Sequence, residues 1–303
     1  ELEQIGEEFS GEGPTLMTEY QPYGVRHFLR GADAEGASEL RVRQVPLVEG
    51  GELEKGEWGD TDQIALPSLL TYRTLVLRRS PAQSRPPSAY SLVHKGDYYE
   101  VWQRPLRAPA PLSHTPLGSF DDPAARDCAA VRQTAAVAGP GGTVAAAERR
   151  APLTLSLGES TYPESWLPTE PGSPDLIPES AGTASLTVEV PRSQRYALYL
   201  LGSIRNQLDL VIDGITVGSV EQQLNPSRQF LYFGEAWIGS GAHEAELVLH
   251  GQTLKPGSGG PPEPIGPLVF DPAANEDPAV LELPSEQATR LCGKRLDWVE
   301  ARP

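Results

Sequence analysis

The 303-residue sequence lacks most of the patterns from which an activity is usually read. It has no Gly-x-Ser-x-Gly elbow, no His-Glu-x-x-His, no phosphate-cradling Gly-x4-Gly-Lys-Ser/Thr and no Rossmann glycine pattern. No stretch approaches the roughly 20 apolar residues that cross a bilayer, and no signal peptide is recognisable at the N-terminus. The chain opens on Glu1 rather than Met, so it reads as a piece of a longer protein, and the missing membrane segment describes this piece only. Positive charge is scarce: 25 basic against 41 acidic side chains leave a formal net charge of −16. That balance excludes a general nucleic-acid binder, whose affinity comes mainly from phosphate neutralisation. Aromatic content is only 7%, so any sugar-stacking surface has to be local. Cysteine occurs twice, as Cys128 and Cys292, with neither the CxxC nor the Cys/His spacing of a zinc site. In an exported protein this pair reads as a disulfide, worth about 5 kcal/mol in the chain-entropy model for so long a loop. The alternative is two buried thiols in a cytosolic protein.

What is abundant is turn-forming residues. Thirty Pro and thirty Gly favour β structure with many fixed turns over long helices. Residues 185–249 carry the clearest pattern. Strand-like runs at 185–190, 195–201, 208–212, 215–220, 229–233 and 245–249 are separated by Gly, Pro, Asp and Asn. Asp213-Gly214 is a two-residue hairpin signal. Short strands at this spacing predict a two-sheet sandwich. The order Tyr196, Val211 to Gly214, Val217-Gly218, then Gly241-Ala-His243 to Leu247 resembles the galactose-binding-like, carbohydrate-binding-module-like jelly rolls. That resemblance implies a binding or interaction module with no catalytic centre of its own.

Residues 1–150 read differently. Leu2, Ile5 and Phe9 share one helical face, and 23–30 and 67–72 are helical. Segments 15–19, 38–47 and 74–78 are extended, and 89–94 with 98–104 flank a Lys95-Gly-Asp97 turn. A Pro- and Gly-rich linker at 105–125 precedes an Ala-rich helix at 123–138 that carries Cys128, then a strand at 143–147. Segments 163–181 and 256–267 are Pro-rich loops, and 268–270 is a last sandwich strand. The expected fold is therefore an α+β N-terminal domain (1–150) followed by an all-β jelly-roll sandwich (151–275). A C-terminal segment (276–303) returns to the first domain.

Each candidate site has competing interpretations. Trp166, in a Pro-rich loop, is the expected exposed platform for a pyranose ring. Tyr232 and Trp237 are further stacking candidates or sandwich core, and Arg205, Asn206 and Gln207 form a polar loop suited to sugar hydroxyls. Arg78, Arg79 and Arg85 are concentrated in one segment of an acidic chain. They fit a lipid-phosphate or sugar-phosphate contact, or internal pairing with the surplus Asp and Glu. Asp60 with Asp62, and Asp121 with Asp122, offer oxygen ligands for Ca²⁺ or Mg²⁺, a general acid and base, or solvated carboxylates. His27, His94, His114, His243 and His250 are scattered singly and are expected to be ordinary surface or core residues.

The blocks 72–81, 85–90 and 98–105, with Leu291-Cys-Gly-Lys-Arg-Leu-Asp-Trp-Val299 at the end, resemble the extracytoplasmic portion of actinobacterial-type polytopic membrane glycosyltransferases of the GT-C type. The resemblance implies a soluble region tethered to membrane helices at the cell envelope. That region would bind or position an envelope polysaccharide or a lipid-linked sugar. The family's catalytic acid lies in a membrane-proximal loop that has no counterpart in these residues, so no catalytic residue carries over. The alternatives are a protein-interaction module without glycan affinity, or a free-standing carbohydrate-active enzyme using Asp60 and Asp62.

Overall fold

A computed structural model describes residues 1–20, 22–119, 122–225, 228–275 and 279–303. Over the described residues the chain is mostly β, with four sheets and few, short helices. It divides into two compact units, one of 1–150 with 275–303 and one of 151–274.

In the first unit α1 (Leu2–Glu8), β1 (Thr15–Met17), α2 (Pro22–Phe28), β2 (Ala34–Gly36), α3 (Ala37–Val42), α4 (Leu66–Leu69), β3 (Thr74–Arg78), β4 (Ser91–Lys95) and β5 (Tyr99–Gln103) follow in order. Their strands make a five-stranded sheet, β2-β1-β3-β5-β4, parallel among the first three and antiparallel beyond. Alternation along β3 covers both faces of this sheet. Leu75 and Leu77 pack with Leu40, Leu69, Tyr90 and Trp102, while Val76 packs with Ile5 of α1, Val25 of α2, and Phe9 and Leu29 just beyond these helices. Within the segment 38–47, expected to be extended, residues 38–42 belong to a helix, α3. Glu39 bonds back to the Gly36 amide as an N-terminal cap, which apolar spacing alone did not reveal.

The presumed linker holds β6 (Ser113–Pro116), and α5 (Cys128–Ala138) and β7 (Thr143–Glu148) follow. Asp127 caps α5, accepting from the amides of Ala129 and Ala130 at 2.8 and 2.9 Å.

The second unit contains β8 (Leu153–Leu155), β9 (Trp166–Pro168), β10 (Leu176–Pro178), β11 (Gly182–Val190), β12 (Gln194–Gly202), β13 (Ile204–Ile212), β14 (Ile215–Gln223), β15 (Phe230–Ile238), β16 (Gly241–Leu249) and β17 (Ile265–Pro272). One sheet runs β15-β12-β17-β10-β9 with β8 also on β17, and the other runs β11-β16-β13-β14. Their facing residues form one apolar core. Tyr196, Leu198, Leu200, Leu268 and Phe270 of the first sheet meet Val188, Leu208, Leu210, Ala245 and Leu247 of the second. This is the two-layer sandwich that the strand pattern predicted.

The chain then re-enters the first unit with β18 (Val280–Pro284) and β19 (Leu296–Arg302). These complete an antiparallel sheet, β18-β7-β19-β6. Its apolar face packs Val144, Ala146 and Val299 with Val131 of α5 and Leu291. Beside them Cys128 and Cys292 form a disulfide with Cα atoms 4.7 Å apart. Among the described residues no helix is long and apolar enough to cross a membrane.

Candidate functional site

One end of the sandwich is organised by the β13–β14 hairpin. Asp213 and Gly214 both have positive φ (50° and 76°), the requirement of a two-residue turn of primed type. The Asp213 carboxylate then ties three segments together. It accepts from the Glu244 amide at 3.0 Å and lies 2.6 Å from His243 Nδ1, while His243 Nε2 lies 3.0 Å from the Gly239 carbonyl oxygen. An acceptor on each ring nitrogen favours the imidazolium. The bond to Asp213 raises the His243 pKa, and the bond from His243 holds that of Asp213 down. Nearby, the Ser240 amide donates to Ser193 Oγ at 2.8 Å.

On the same end stands Trp237, 67% exposed although it lies within a strand. The cause is a bulge. Leu231 and Phe233 point into the core, and strict alternation would send residue 237 inward with them. At Gly234, with φ 109°, the register against β12 slips between Leu198 and Tyr199. Beyond it Ala236 and Ile238 face the core, and Glu235 and Trp237 face out. A bulge of this kind re-aims every following side chain. Trp237 pairs across the ladder with Arg195, whose Nε donates to Glu235 Oε2 at 3.2 Å. The result is an exposed indole beside a guanidinium–carboxylate pair on rigid β structure. It presents an apolar face with hydrogen-bond donors and acceptors at its edge.

The other sequence candidates do not join this site. Trp166 is 1% exposed, so the expected platform is a core residue. Its Nε1 donates to the Ser180 carbonyl oxygen at 2.9 Å, which satisfies the one polar atom such a ring must bury. Tyr232 is half-buried, its ring tilted against Tyr199 at 5.1 Å. Arg205, Asn206 and Gln207 lie on β13 instead of a loop, at the strand end opposite Asp213. Arg205 donates to the Pro261 carbonyl oxygen, Asn206 accepts from Ser258 Oγ, and Gln207 donates to Asp209. The first two fasten the Pro-rich excursion and leave no open polar loop.

In the first unit the arginines serve internal contacts. Arg78 pairs with buried Glu19 at 3.0 Å. Arg79 is buried and donates to the carbonyl oxygens of Gly96 and Asp97. The Arg85 guanidinium lies 5.0 Å from the ring of Trp102 and 5.8 Å from that of Trp298. A phosphate site on these three is not supported, because the geometry that suits them to phosphate is spent on internal carboxylate, carbonyl and aromatic partners. Nor is Asp60 an open ligand. Its carboxylate accepts from Ser84 Oγ at 2.9 Å and Gln83 Nε2 at 3.0 Å, with longer contacts from Thr61 and Asp62. Asp62 is bonded to His114. Asp60 and Asp62 are thus held by neighbours within the first unit, and no group of three or more His, Cys, Asp or Glu among the described residues is arranged to hold a metal ion. Asp121 lies outside the described residues, and Asp122 pairs with Arg295.

No protein-family model matches the sequence, and no curated protein matches it significantly. Among solved structures the chain is similar to carbohydrate-binding modules and to enzymes carrying them. A family 35 module from Clostridium thermocellum matches at 16% identity and a TM-score of 0.32, over 41% of this chain and 100% of that one. A CBM36 module in complex with calcium and xylotriose matches at 17% and 0.28, over 40% and 100%. A Podospora anserina GH26-CBM35 β-(1,4)-mannanase matches at 13% and 0.33, over 42% of this chain and 28% of that one.

Proposed function

We propose that the chain is a non-catalytic glycan-binding protein that works outside the cytoplasm, with the Trp237 end of the sandwich as its contact surface. The observation that carries this reading is the bulge-directed exposure of Trp237 beside Arg195 and Glu235. An exposed indole held on a folded strand presents a flat apolar face beside polar partners, which suits an amphipathic ligand. The Cys128–Cys292 disulfide supports an oxidising compartment. A cell-envelope polysaccharide is the ligand class that fits such a location. The more specific assignment is an extracytoplasmic region tethered to a GT-C-like membrane glycosyltransferase and positioning a lipid-linked sugar. It rests on the sequence resemblance at 72–105 and 291–299.

Calorimetric titration of the full chain against a panel of envelope polysaccharides tests the reading. Saturable binding is expected, weakened about tenfold or more by Trp237→Ala. Absence of binding at millimolar ligand, or binding indifferent to Trp237→Ala, overturns it.

A further inference from the structure

The first unit contains a sealed ionic cluster that glycan binding does not use. His114, on β6, lies between two carboxylates: Nε2 is 2.9 Å from Asp62 Oδ1 and Nδ1 is 2.8 Å from Glu300 Oε1. The three side chains are 3%, 8% and 0% exposed. Carboxylates on both sides make each ring nitrogen a donor, so the imidazole is held as a cation. Burial opposes that charge, but Asp62 and Glu300 outweigh it and raise the His114 pKa to about 10.

Charged groups face this cluster from every element around it. The turn at 58–63 supplies Asp60 and Asp62, and the segment 80–88 supplies Arg85 together with the Ser84 hydroxyl. Arg149, just after β7, reaches Asp297 at 3.4 Å. On β19, Asp297 accepts from the Arg85 amide and Glu300 from the Ser88 amide. Glu100 on β5 accepts from Trp102, whose ring lies under Arg85. The carboxylates of Asp60, Asp62, Glu100, Asp297 and Glu300 outnumber the cations of Arg85, His114 and Arg149. Two oxygens, Asp62 Oδ2 and Asp297 Oδ1, are buried with no hydrogen-bond partner. A buried, unpartnered oxygen within an anionic excess is costly, and a proton both neutralises it and turns it into a donor.

We propose that this cluster is a proton-operated latch. Proton uptake by Asp60, Asp62 and Asp297 holds the 58–63 turn, the 80–88 segment and β6 against β19, and proton release loosens them. β6 is the element most exposed to the change, because it is an edge strand paired to β19 alone and His114 is its anchor to the 58–63 turn. The titration ranges agree with this direction. Burial first, then the Asp62 charge, pushes Asp60 up to about 7; burial also pushes Asp62 and Asp297 up to about 6, against the lowering pull of His114 on Asp62 and of Arg149 on Asp297. Raised carboxylates contribute stability below their ordinary range and lose it as pH rises through 6 to 7. His114 contributes stability fully present below 6.5 and lost as pH rises through about 10. Burial of Asp60, Asp62 and Asp297 thus favours the tighter state on the acid side, and the His114–Asp62 and Arg149–Asp297 pairs oppose it in part.

Hydrogen–deuterium exchange of the full chain at pH 5.5, 7.0 and 8.5, corrected for intrinsic rates, tests the latch. Protection of 80–88 and 113–116 is expected to fall about tenfold from pH 5.5 to 8.5, with β12 and β15 unchanged. Asp62→Asn and Asp297→Asn, which mimic the protonated forms, are expected to keep both segments protected at pH 8.5. Flat protection in the unmodified chain overturns the proposal whether or not the variants fold. So does a pH dependence that survives substitution of Asp60, Asp62 and Asp297 together by Asn.

Discussion

Gly234 decides which way Trp237 faces. Two residues separate them along β15, and the bulge at Phe233-Gly234, with Gly234 at φ 109°, reverses the alternation between the core-facing Phe233 and the outward Trp237. A Cβ at Gly234 meets no atom within 4 Å, so the requirement for glycine is one of backbone conformation and not of space. Gly234→Ala is expected to cost about 1–3 kcal/mol through strain at that φ. It should also weaken glycan binding as the strand adjusts to escape the strain. Thermal unfolding and acrylamide quenching of tryptophan fluorescence measure the two effects. Unchanged stability together with unchanged quenching would contradict the role given to the bulge.

The two tryptophans of the second unit should separate stability from binding. Trp166 is buried in the sandwich core and Trp237 stands in solvent. Trp166→Ala is expected to destabilise by about 3–5 kcal/mol through lost burial and a residual cavity. Trp237→Ala should stay within about 0.5 kcal/mol, as an exposed substitution does, while abolishing most of the binding. Denaturant midpoints of the two variants read this directly. The reverse ranking would mean that the loop around Trp166, and not β15, carries the exposed platform.

The contrast shows how far the chain could be read before its structure. Alternating apolar residues and the Asp213-Gly214 turn suffice for the sandwich, because period and turn chemistry are local properties. They fail at β15 because one residue in a bulge shifts the period. Gly234 inside Phe230-Leu-Tyr-Phe-Gly-Glu-Ala-Trp-Ile238 was the available signal, since a lone glycine in a strand often marks such a place. Trp166 misled for a related reason. Proline-rich surroundings suggest an exposed loop, whereas 166–168 and 176–178 pair as short strands that fold the ring inward. Glu235 and Arg195 became visible as partners only through the ladder. His114, Asp62, Asp297 and Glu300 are separated by up to 238 positions, and no sequence spacing could have assembled them.

At the hairpin tip, the paired shifts of Asp213 and His243 define a pH window. The lowered Asp213 contributes above the ordinary carboxylate range, and its contribution is lost as pH falls through its depressed value. The raised His243 contributes fully below 6.5 and loses that contribution as pH rises through its elevated value. The turn should therefore be most ordered between these limits. Asp213→Asn keeps a residue that tolerates positive φ but removes the charge. His243, followed by NMR titration, is expected to move back towards its ordinary value. A titration unaffected by the substitution would show that the Gly239 carbonyl, and not Asp213, holds the proton.

Reduction of the disulfide gives a test within the first unit. Cys128 begins α5 and Cys292 follows the turn at 285–291, so the bond closes a loop of 164 positions around the whole sandwich sequence. Chain entropy assigns such a closure about 5 kcal/mol, an upper figure where the reduced chain stays compact. The cross-link sits beside the apolar cluster of Val131, Leu291 and Val299, which would otherwise have to hold α5 against the returning strands unaided. Asp127 still caps the helix after reduction, so far-ultraviolet dichroism should change little below the transition. The midpoint of thermal unfolding should fall by roughly 10 °C or more. A midpoint that does not move, once mass spectrometry shows both thiols free, would mean that packing alone fixes α5 and that the bond constrains nothing the fold has not already ordered.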